Sequence, residues 1–286
     1  MKSLPLPHHV NSITSTSNPF VKYCVKLRNS SAYRYSHASI LLVGSTPIRE
    51  LYQFQGKMQD GPTKIECLLM LENADIPEDL NNLYICRVYV SSMVMKKLSG
   101  LQSTNCLNMV AIVRIPSTFH NVVDNPQEED CCAWFPFPYR ILVLDGIQDP
   151  GNLGTLLRSA LAFGWDGVFL LYGCCDPFNG KSLRASRGAS FQLPIVFGEW
   201  THLKSLKEEF EMRILAAHPA NNFADSLAET PLCLKLGGEG SGLSEKSRQE
   251  CELVSIPMAG EFESLNVSVA AEIFHYMLQP NSSGIN

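Results

Sequence analysis

Continuous apolar runs alternate with helix-like segments through the second half of the chain. The runs predict buried strands at 141–144, 167–171, 193–197, 213–217, 232–236 and 253–256. Apolar positions spaced three and four residues apart predict helices between them, at 152–163, 181–190, 202–210, 244–251 and 267–278. Strands that are apolar on both faces and alternate with helices are typical of a parallel sheet covered on both sides. We therefore predict a parallel α/β domain over residues 140–280.

The first half of the chain carries the same two patterns in a smaller unit. Helical spacing covers 20–27 and 91–98, and apolar runs predict strands at 39–43, 65–71, 83–90 and 109–115. Ser91 is the expected N-cap of the second helix. These elements predict a small α/β domain over residues 13–116, after a flexible tail at 1–12. The proline-rich and acidic stretch at 117–139 predicts a linker between the two domains.

Composition agrees with a folded, reduced protein. Hydrophobic residues make up 45% of the 286 residues and charged residues 18%, so a full core is expected. No apolar run reaches eighteen residues, so we expect no membrane span. The ten cysteines form no CxxC pair, which argues against a zinc site and for buried thiols in a reducing, intracellular compartment. The serine-rich, acid-free start also resembles a transit peptide, so cytoplasm and organelle (chloroplast or mitochondrion) both stay open.

Charge is distributed unevenly along the chain. The net charge is −5, but residues 1–125 have a balance of +4 and residues 126–286 a balance of −9. The first 49 residues hold six basic residues and no acidic one. Such asymmetry favours a nucleic-acid footprint on the first domain, although a solvated basic face without a partner would give the same balance.

Three polar loops that contain or adjoin glycine each follow a predicted strand. The first covers 145–154, with Arg158 shortly after it, the second covers 237–243, and the third joins 256–258 to 264–266. Since ligands of parallel sheets bind beyond the carboxyl ends of the strands, we expect the three loops to form one composite site. The second loop lacks the features of a P-loop and of the dinucleotide fingerprint. Asn152 and Ser264 are the expected N-caps of the helices that follow the first and third loops.

In this order and at this spacing, the three loops resemble the motifs of the SpoU branch of the SPOUT superfamily, the RNA ribose 2′-O-methyltransferases. The first motif matches 144–158, the second 236–243, and the third Ile256-Pro257-Met258 followed by 264–271. A weaker resemblance links 12–115 to the family's substrate-binding domain. There the family usually has a glutamate before the glycine, whereas this chain has Val43 before Gly44.

The resemblance implies a deep trefoil knot at the C-terminus, S-adenosylmethionine as cofactor, an RNA substrate, and a homodimer with the site at the subunit interface; no metal is expected. The implied cofactor contacts, mostly through backbone, are Gly237, Gly240, Ile256, Met258 and Leu265. The implied reaction centre consists of Asn152, Arg158, Glu239, Ser264 and Asn266. The basic residues that we select for RNA binding in the first domain are Lys22, Lys26, Arg28 and Arg34.

We therefore predict an S-adenosylmethionine-dependent enzyme that methylates a ribose 2′-hydroxyl of RNA. Ribosomal RNA is favoured because the separate N-terminal domain resembles that of ribosomal-RNA enzymes. Three alternatives stay open: a transfer-RNA methyltransferase, a non-catalytic RNA-binding or assembly protein on the same scaffold, and a nucleotide-dependent enzyme with an open α/β sheet. The presence of Asn152, Arg158, Ser264 and Asn266 argues against the non-catalytic alternative.

Overall fold

A computed structural model describes residues 12–55, 64–75, 80, 85–101, 108–123, 130–218, 230–238, 240, 242–243, 245–258 and 264–279. The chain forms two compact units. Unit 1 comprises Met1–Ser117 and Phe178–Phe191, and unit 2 comprises Thr118–Pro177 and Gln192–Asn286. The segment at 178–191, which the sequence pattern assigns to the second domain, thus belongs to the first unit.

The described residues form twelve strands and ten α-helices. In chain order the strands are β1 (Ser12–Ile13), β2 (Ser39–Val43), β3 (Ile65–Leu71), β4 (Cys86–Val90), β5 (Met109–Arg114), β6 (Phe119–Asn121), β7 (Arg140–Asp145), β8 (Gly167–Leu170), β9 (Ile195–Phe197), β10 (Arg213–Ala217), β11 (Leu232–Gly237) and β12 (Glu252–Val254). The helices are α1 (Pro19–Asn29), α2 (Ser31–His37), α3 (Ser45–Gln55), α4 (Ser92–Ser99), α5 (Cys131–Trp134), α6 (Pro150–Ala162), α7 (Gly180–Ser186), α8 (Trp200–Glu209), α9 (Glu245–Glu250) and α10 (Val267–Met277).

Unit 1 contains a mixed five-stranded sheet in the order β1-β4-β3-β5-β2. β1, β4 and β3 are parallel, whereas β5 runs antiparallel to both of its neighbours. The apolar positions predicted at 20–27 form the buried face of α1, because their spacing places them on one side of the helix. Ser91 is the N-cap residue of α4, as predicted. Its hydroxyl makes no capping hydrogen bond and donates instead to the carbonyl of Thr14 at 3.3 Å.

Unit 2 contains a seven-stranded sheet in the order β12-β10-β11-β7-β8-β9-β6, and all neighbouring strands are parallel. The predicted parallel sheet is thereby confirmed. Its edge strand β6 and the short helix α5 both lie in the stretch that the sequence predicts as a linker. Trp134 of α5 is buried in the core of unit 2. A strand of three residues is too short to display a period, which explains why the sequence pattern did not reveal it.

A buried arginine holds the end of the last helix. Arg140, at the start of β7, is 3% exposed, and its guanidinium donates to the carbonyls of Leu278, Tyr139 and Thr230 at 3.1, 3.0 and 2.6 Å. The final carbonyls of a helix have no partner within the helix and carry partial negative charge. Arg140 therefore stabilises the C-terminal end of α10 and binds it to the central strand β7.

The same helix carries a buried histidine. The ring of His275 lies 5.8 Å from that of Phe163 and 4.5 Å from that of Trp165, measured between centroids. Neither of its nitrogens has a hydrogen-bond partner among the described residues. Burial lowers the pKa of His275 from 6.5 to about 3, because protonation would place an unpaired charge in the core. The imidazole is therefore a neutral packing group near neutral pH.

Replacing this histidine should make unit 2 less sensitive to acid. In the unfolded chain the imidazole binds a proton below its ordinary pKa of 6.5, whereas in the fold it stays neutral down to about 3, so stability is lost as the pH falls through this window. The wild type should lose about 2 kcal/mol more unfolding free energy than His275→Phe between about pH 7 and pH 5. Urea unfolding followed by tryptophan fluorescence measures this loss, because all three tryptophans lie in unit 2. Equal pH dependence in the two proteins would contradict the burial argument.

Candidate active site

A cavity of about 610 Å³ lies beyond the carboxyl ends of β10, β11 and β12. Its wall combines the strand ends, the glycine turn after β11 and the entry to α10. The residues that line it are Ala217, His218, Leu236, Gly237, Gly238, Gly242, Leu243, Arg248, Ser255, Ile256, Met258, Ser264, Leu265, Asn266, Val267, Ala270 and Phe274. The second and third predicted loops therefore share one cavity.

The glycine turn after β11 brings peptide backbone to the cavity wall. The amide of Gly242 donates to the carbonyl of Gly238 at 2.9 Å, and its φ of +59° is a conformation that favours glycine. A Cβ on Gly237 would lie 2.4 Å from the carbonyl oxygen of Gly242. A Cβ on Gly238 would lie 2.4 Å from the carbonyl oxygen of Gly146, in the first predicted loop. The first and second loops therefore touch through backbone at Gly238, and a side chain at that position would separate them.

The third loop is fixed by Asn266. Its side-chain oxygen accepts from the amide of Ser268 at 2.9 Å, which makes Asn266 the N-cap of α10. The hydroxyl of Ser268 lies 2.6 Å from the same oxygen and 3.1 Å from the side-chain oxygen of Asn152. The predicted cap, Ser264, is exposed two residues earlier, so that prediction is wrong. Ser268 thus connects the reaction-centre candidates Asn152 and Asn266.

The first loop leads into α6, which begins earlier than predicted. Asp149 is the N-cap, and its carboxylate accepts from the amides of Gly151 and Asn152 at 2.8 and 2.9 Å. Pro150 occupies the first helical position, where its missing N–H costs no hydrogen bond. The prediction of Asn152 as N-cap is therefore wrong, because an earlier acidic residue takes that role.

Arg158 lies on α6 with an exposed side chain. The two acids of the first loop, with which a helix arginine could pair, are both engaged elsewhere: Asp145 binds Lys235 and Asp149 caps the helix. Within the described residues, the guanidinium of Arg158 makes no hydrogen bond or ion pair. It therefore remains available to an anion from outside the chain.

A buried lysine, which sequence analysis does not single out, stands behind the cavity. Lys235 on β11 is 1% exposed, and its ammonium lies 2.8 Å from the carboxylate of Asp145. The same ammonium bonds the hydroxyl of Ser247 on α9 and lies 4.3 Å from the ring centroid of Trp200. Because a buried charge is stable only when it is paired, this network fixes α9 against the base of the first loop.

The predicted site residues divide by position. Those that line the cavity are Gly237, Ile256, Met258, Ser264, Leu265 and Asn266. Gly240, Asn152 and Arg158 do not belong to the lining, and Glu239 lies outside the described residues. His218 and Arg248 also line the cavity, although the sequence analysis did not select them. His218 follows β10 and Arg248 lies within α9, and no motif surrounds either residue.

Comparisons with known proteins agree with this geometry. Residues 139–276 match the model of the SpoU rRNA Methylase family. The chain is also 31% identical over 202 residues to the 23S rRNA (guanosine-2′-O-)-methyltransferase RlmB of Vibrio parahaemolyticus, in an alignment that covers 68% of this chain and 78% of that protein. The chain belongs to the SpoU methylase family.

Two further similarities extend this family assignment over nearly the whole chain. The chain is 28% identical over 273 residues to the 23S rRNA (guanosine(2553)-2′-O)-methyltransferase RlmP of Bacillus subtilis, in an alignment that covers 94% of this chain and 100% of that protein. A crystal structure of an RNA 2′-O ribose methyltransferase matches with a TM-score of 0.72 at 28% identity, covering 93% of this chain and 97% of the other. The predicted family and fold class are confirmed.

The cations predicted for RNA binding in this SpoU protein fall into two groups. Lys22 and Lys26 are exposed on α1. Arg28 is half-buried and donates to the carbonyls of Lys97 and Leu98 at 2.9 and 2.8 Å, and burial lowers its pKa.

Arg34 serves the fold of unit 1. It is 3% exposed and donates to the carbonyls of Leu27 and Arg28 at 2.6 and 3.0 Å, where α1 ends. Because its donors satisfy helix carbonyls, a phosphate in solution does not reach them. Arg34 is therefore not available to RNA, whereas Lys22 and Lys26 stay predicted contacts.

Other chemistries find little support in the described residues. No group of three or more His, Cys, Asp or Glu side chains there is arranged to hold a metal ion. No helix in the described part of the chain is long and apolar enough to cross a bilayer. Burial raises the pKa of Cys24 and of Cys233 to about 12, so both thiols stay protonated and unreactive near neutral pH.

The glycine turn offers a matched pair of substitutions. Gly237→Ala places a methyl group against the backbone of Gly242, and should lower the unfolding free energy of unit 2 by about 2–3 kcal/mol. Gly240→Ala, in the same turn, meets no atom within 4 Å and should change it by less than about 0.5 kcal/mol. Urea unfolding followed by tryptophan fluorescence distinguishes the two variants. Equal losses would mean that the close contact at Gly237 is not a packing constraint.

Proposed function

We propose that this protein transfers the methyl group of S-adenosylmethionine to a ribose 2′-hydroxyl of ribosomal RNA. Membership of the SpoU methylase family indicates that the reaction is methyl transfer to RNA. The observation that carries the proposal is the single cavity formed by the second and third motifs, with the first motif in backbone contact at Gly146. Ribosomal RNA is the proposed substrate because relatives that align over most of their length are named 23S rRNA methyltransferases.

The cavity suits the cofactor in size and chemistry. A volume of about 610 Å³ falls in the range of small-molecule sites, and the wall is mostly backbone and apolar side chains. Ile256, Met258 and Leu265 supply apolar surface for a flat heterocycle, while the turn at Gly237 leaves peptide groups accessible. When bound there, S-adenosylmethionine would supply a methyl group from its positively charged sulfur: the ribose 2′-oxygen would bond the methyl carbon as the carbon–sulfur bond breaks, S-adenosylhomocysteine would leave, and the hydroxyl proton would pass to solvent.

The polar residues at the entry to α10 are proposed to position the ribose. Ser264 and Asn266 line the cavity, and both are exposed. Their side chains are proposed to bond the 2′-oxygen and orient it toward the cofactor. The hydroxyl of Ser268 bridges the side-chain oxygens of Asn152 and Asn266, so Asn152 would hold Asn266 in place.

Arg158 is proposed to bind the phosphate next to the reacting ribose. A guanidinium stays charged and offers donors in a planar fork that matches phosphate oxygens. It therefore suits holding the RNA and stabilising negative charge on the 2′-oxygen more than removing the proton. The exposure of Arg158 and its lack of a partner among the described residues support this role.

A second copy of the chain is proposed to cover the outer face of α10. Val269 is 46% exposed and Tyr276 71% exposed, and the two lie on the same face of α10, about two turns apart, while the opposite face packs on α6. Apolar side chains on one exposed helical stripe favour a protein interface. Light scattering should give twice the mass of one chain, and a single-chain mass at micromolar concentration would reject the dimer.

The central test is methyl transfer with a conservative arginine variant. Arg158→Lys keeps the charge but loses the fork, so turnover should fall on the order of a hundredfold while cofactor affinity persists. Transfer from S-adenosylmethionine with a labelled methyl group to ribosomal RNA measures turnover, and calorimetry measures affinity. Arg213→Lys, at the opposite end of β10 from the cavity, is the control and should keep full turnover.

Three outcomes would count against this assignment. A parallel loss of cofactor affinity in Arg158→Lys would contradict a role in holding RNA. Unchanged turnover would remove Arg158 from the reaction centre. An unmethylated ribosomal RNA with the wild-type protein would favour the non-catalytic RNA-binding alternative.

Lys22 and Lys26 are proposed to contact RNA phosphates. The double variant Lys22→Gln/Lys26→Gln should weaken RNA binding and reduce the slope of log affinity against log salt by about 2. A filter-binding titration at several salt concentrations gives that slope. The double variant Lys64→Gln/Lys181→Gln removes the same charge from two other exposed positions of unit 1 and should leave the slope unchanged. An unaltered slope in the first variant would exclude these lysines as contacts.

A further inference from the structure

Arg248 gives the cavity wall a charge that the family motifs do not account for. It lies on α9, and it is the only Lys, Arg, Asp or Glu among the described residues that line the cavity. Within the described part of the chain its guanidinium forms no ion pair or hydrogen bond. Arg248 is exposed, so its guanidinium is available to an anionic group of a ligand in the cavity.

Arg248 reaches the cavity from an element that is separate from α6. α9 leads directly into β12, and β12 pairs with β10, so that Val254 lies beside Ala217 at the sheet edge. Asn266, by contrast, is connected through Ser268 to Asn152 on α6, which follows β7. The arginine and the proposed reaction centre therefore approach the cavity from different elements.

The cofactor carries one anionic group. At neutral pH S-adenosylmethionine has a positive sulfonium, a positive ammonium and a negative α-carboxylate, whereas its adenine and ribose are neutral. An arginine facing this molecule is repelled by two of its groups and attracted only by the carboxylate. A guanidinium and a carboxylate also match in shape, because two parallel N–H groups meet two oxygens.

The arginine is held in place from behind. Its neighbour Ser247 bonds the buried ammonium of Lys235, which is itself paired with Asp145. At the end of the same helix, Glu250 accepts from the indole N–H of Trp200 at 2.8 Å. α9 is therefore fixed at two points, and the backbone of Arg248 is positioned before any ligand arrives.

We propose that Arg248 binds the α-carboxylate of the cofactor's amino-acid end. This inference rests on the proposed function, because it assumes that the cavity holds S-adenosylmethionine. It assigns a specificity role to a residue outside the three motifs, namely selection for ligands that retain the carboxylate.

Two ligands that differ only in this group provide the test. S-adenosylhomocysteine has the carboxylate, and its decarboxylated analogue, S-adenosyl-3-thiopropylamine, lacks it. Calorimetry on the full-length protein measures both affinities for the wild type, Arg248→Met, Arg248→Lys and Lys207→Met. Lys207 is an exposed cation on α8 that does not line the cavity, so its variant controls for the loss of one charge.

Arg248→Met should lower the affinity for S-adenosylhomocysteine about tenfold. Its affinity for the decarboxylated analogue should stay within about twofold of the wild-type value. Arg248→Lys should retain part of the preference for S-adenosylhomocysteine over the analogue, and Lys207→Met should retain all of that preference. Equal weakening of both ligands would overturn the inference, because it would indicate a general loosening of the wall. Unchanged affinity for both, with weaker RNA binding, would assign Arg248 to an RNA phosphate and also overturn it.

The same measurements separate this inference from the proposed function. A wild-type protein that binds S-adenosylhomocysteine with no contribution from Arg248 would overturn the inference alone. A wild-type protein that binds neither ligand would overturn both.

Discussion

The close approach of two glycine backbones is the constraint on which the cavity depends. Gly238, in the turn after β11, lies so near the carbonyl of Gly146 that no Cβ fits between them. Because β7 and β11 are neighbouring parallel strands, this contact brings the first and second motifs together at one sheet edge. The wall formed there is peptide backbone, which suits a ligand recognised through the edges of a heterocycle.

A buried ion pair fixes the same two loops from within the sheet. Asp145 directly precedes Gly146, and Lys235 lies two residues before Gly237, so their contact joins the bases of both loops. Removing one partner from such a pair leaves a buried charge and costs roughly 3–5 kcal/mol. The pair also reaches α9 through Ser247. Lys235 therefore helps to position the first loop, the second loop and α9, although it does not itself line the cavity.

The sequence predicts what periodicity and residue type decide, and fails where tertiary contacts decide. The parallel sheet of unit 2 follows from its apolar runs, and the composite site follows from loops that end parallel strands. The predicted caps of α6 and α10 are wrong because each helix entry offers two good capping residues a few positions apart, Asp149 and Asn152 in one and Ser264 and Asn266 in the other. Backbone geometry chooses between them. The role of Lys235 could not be predicted, because a strand pattern does not show its partners. The knot and the homodimer, which only the family resemblance implies, stay predictions.

Where a basic residue lies matters more for RNA recognition than how many there are. Arg34 and Arg140 are buried and donate to main-chain carbonyls, so they count toward the formal charge while presenting nothing to a phosphate. Because Arg34 stabilises the fold of the first domain, the charge balance of that domain overstates the field that an RNA experiences. Attraction of a polyanion by a chain of net charge −5 must then depend on a few exposed cations, such as Lys22 and Lys26, in a segment without acids. Local placement of those cations, and not net charge, is what lets an acidic protein bind RNA.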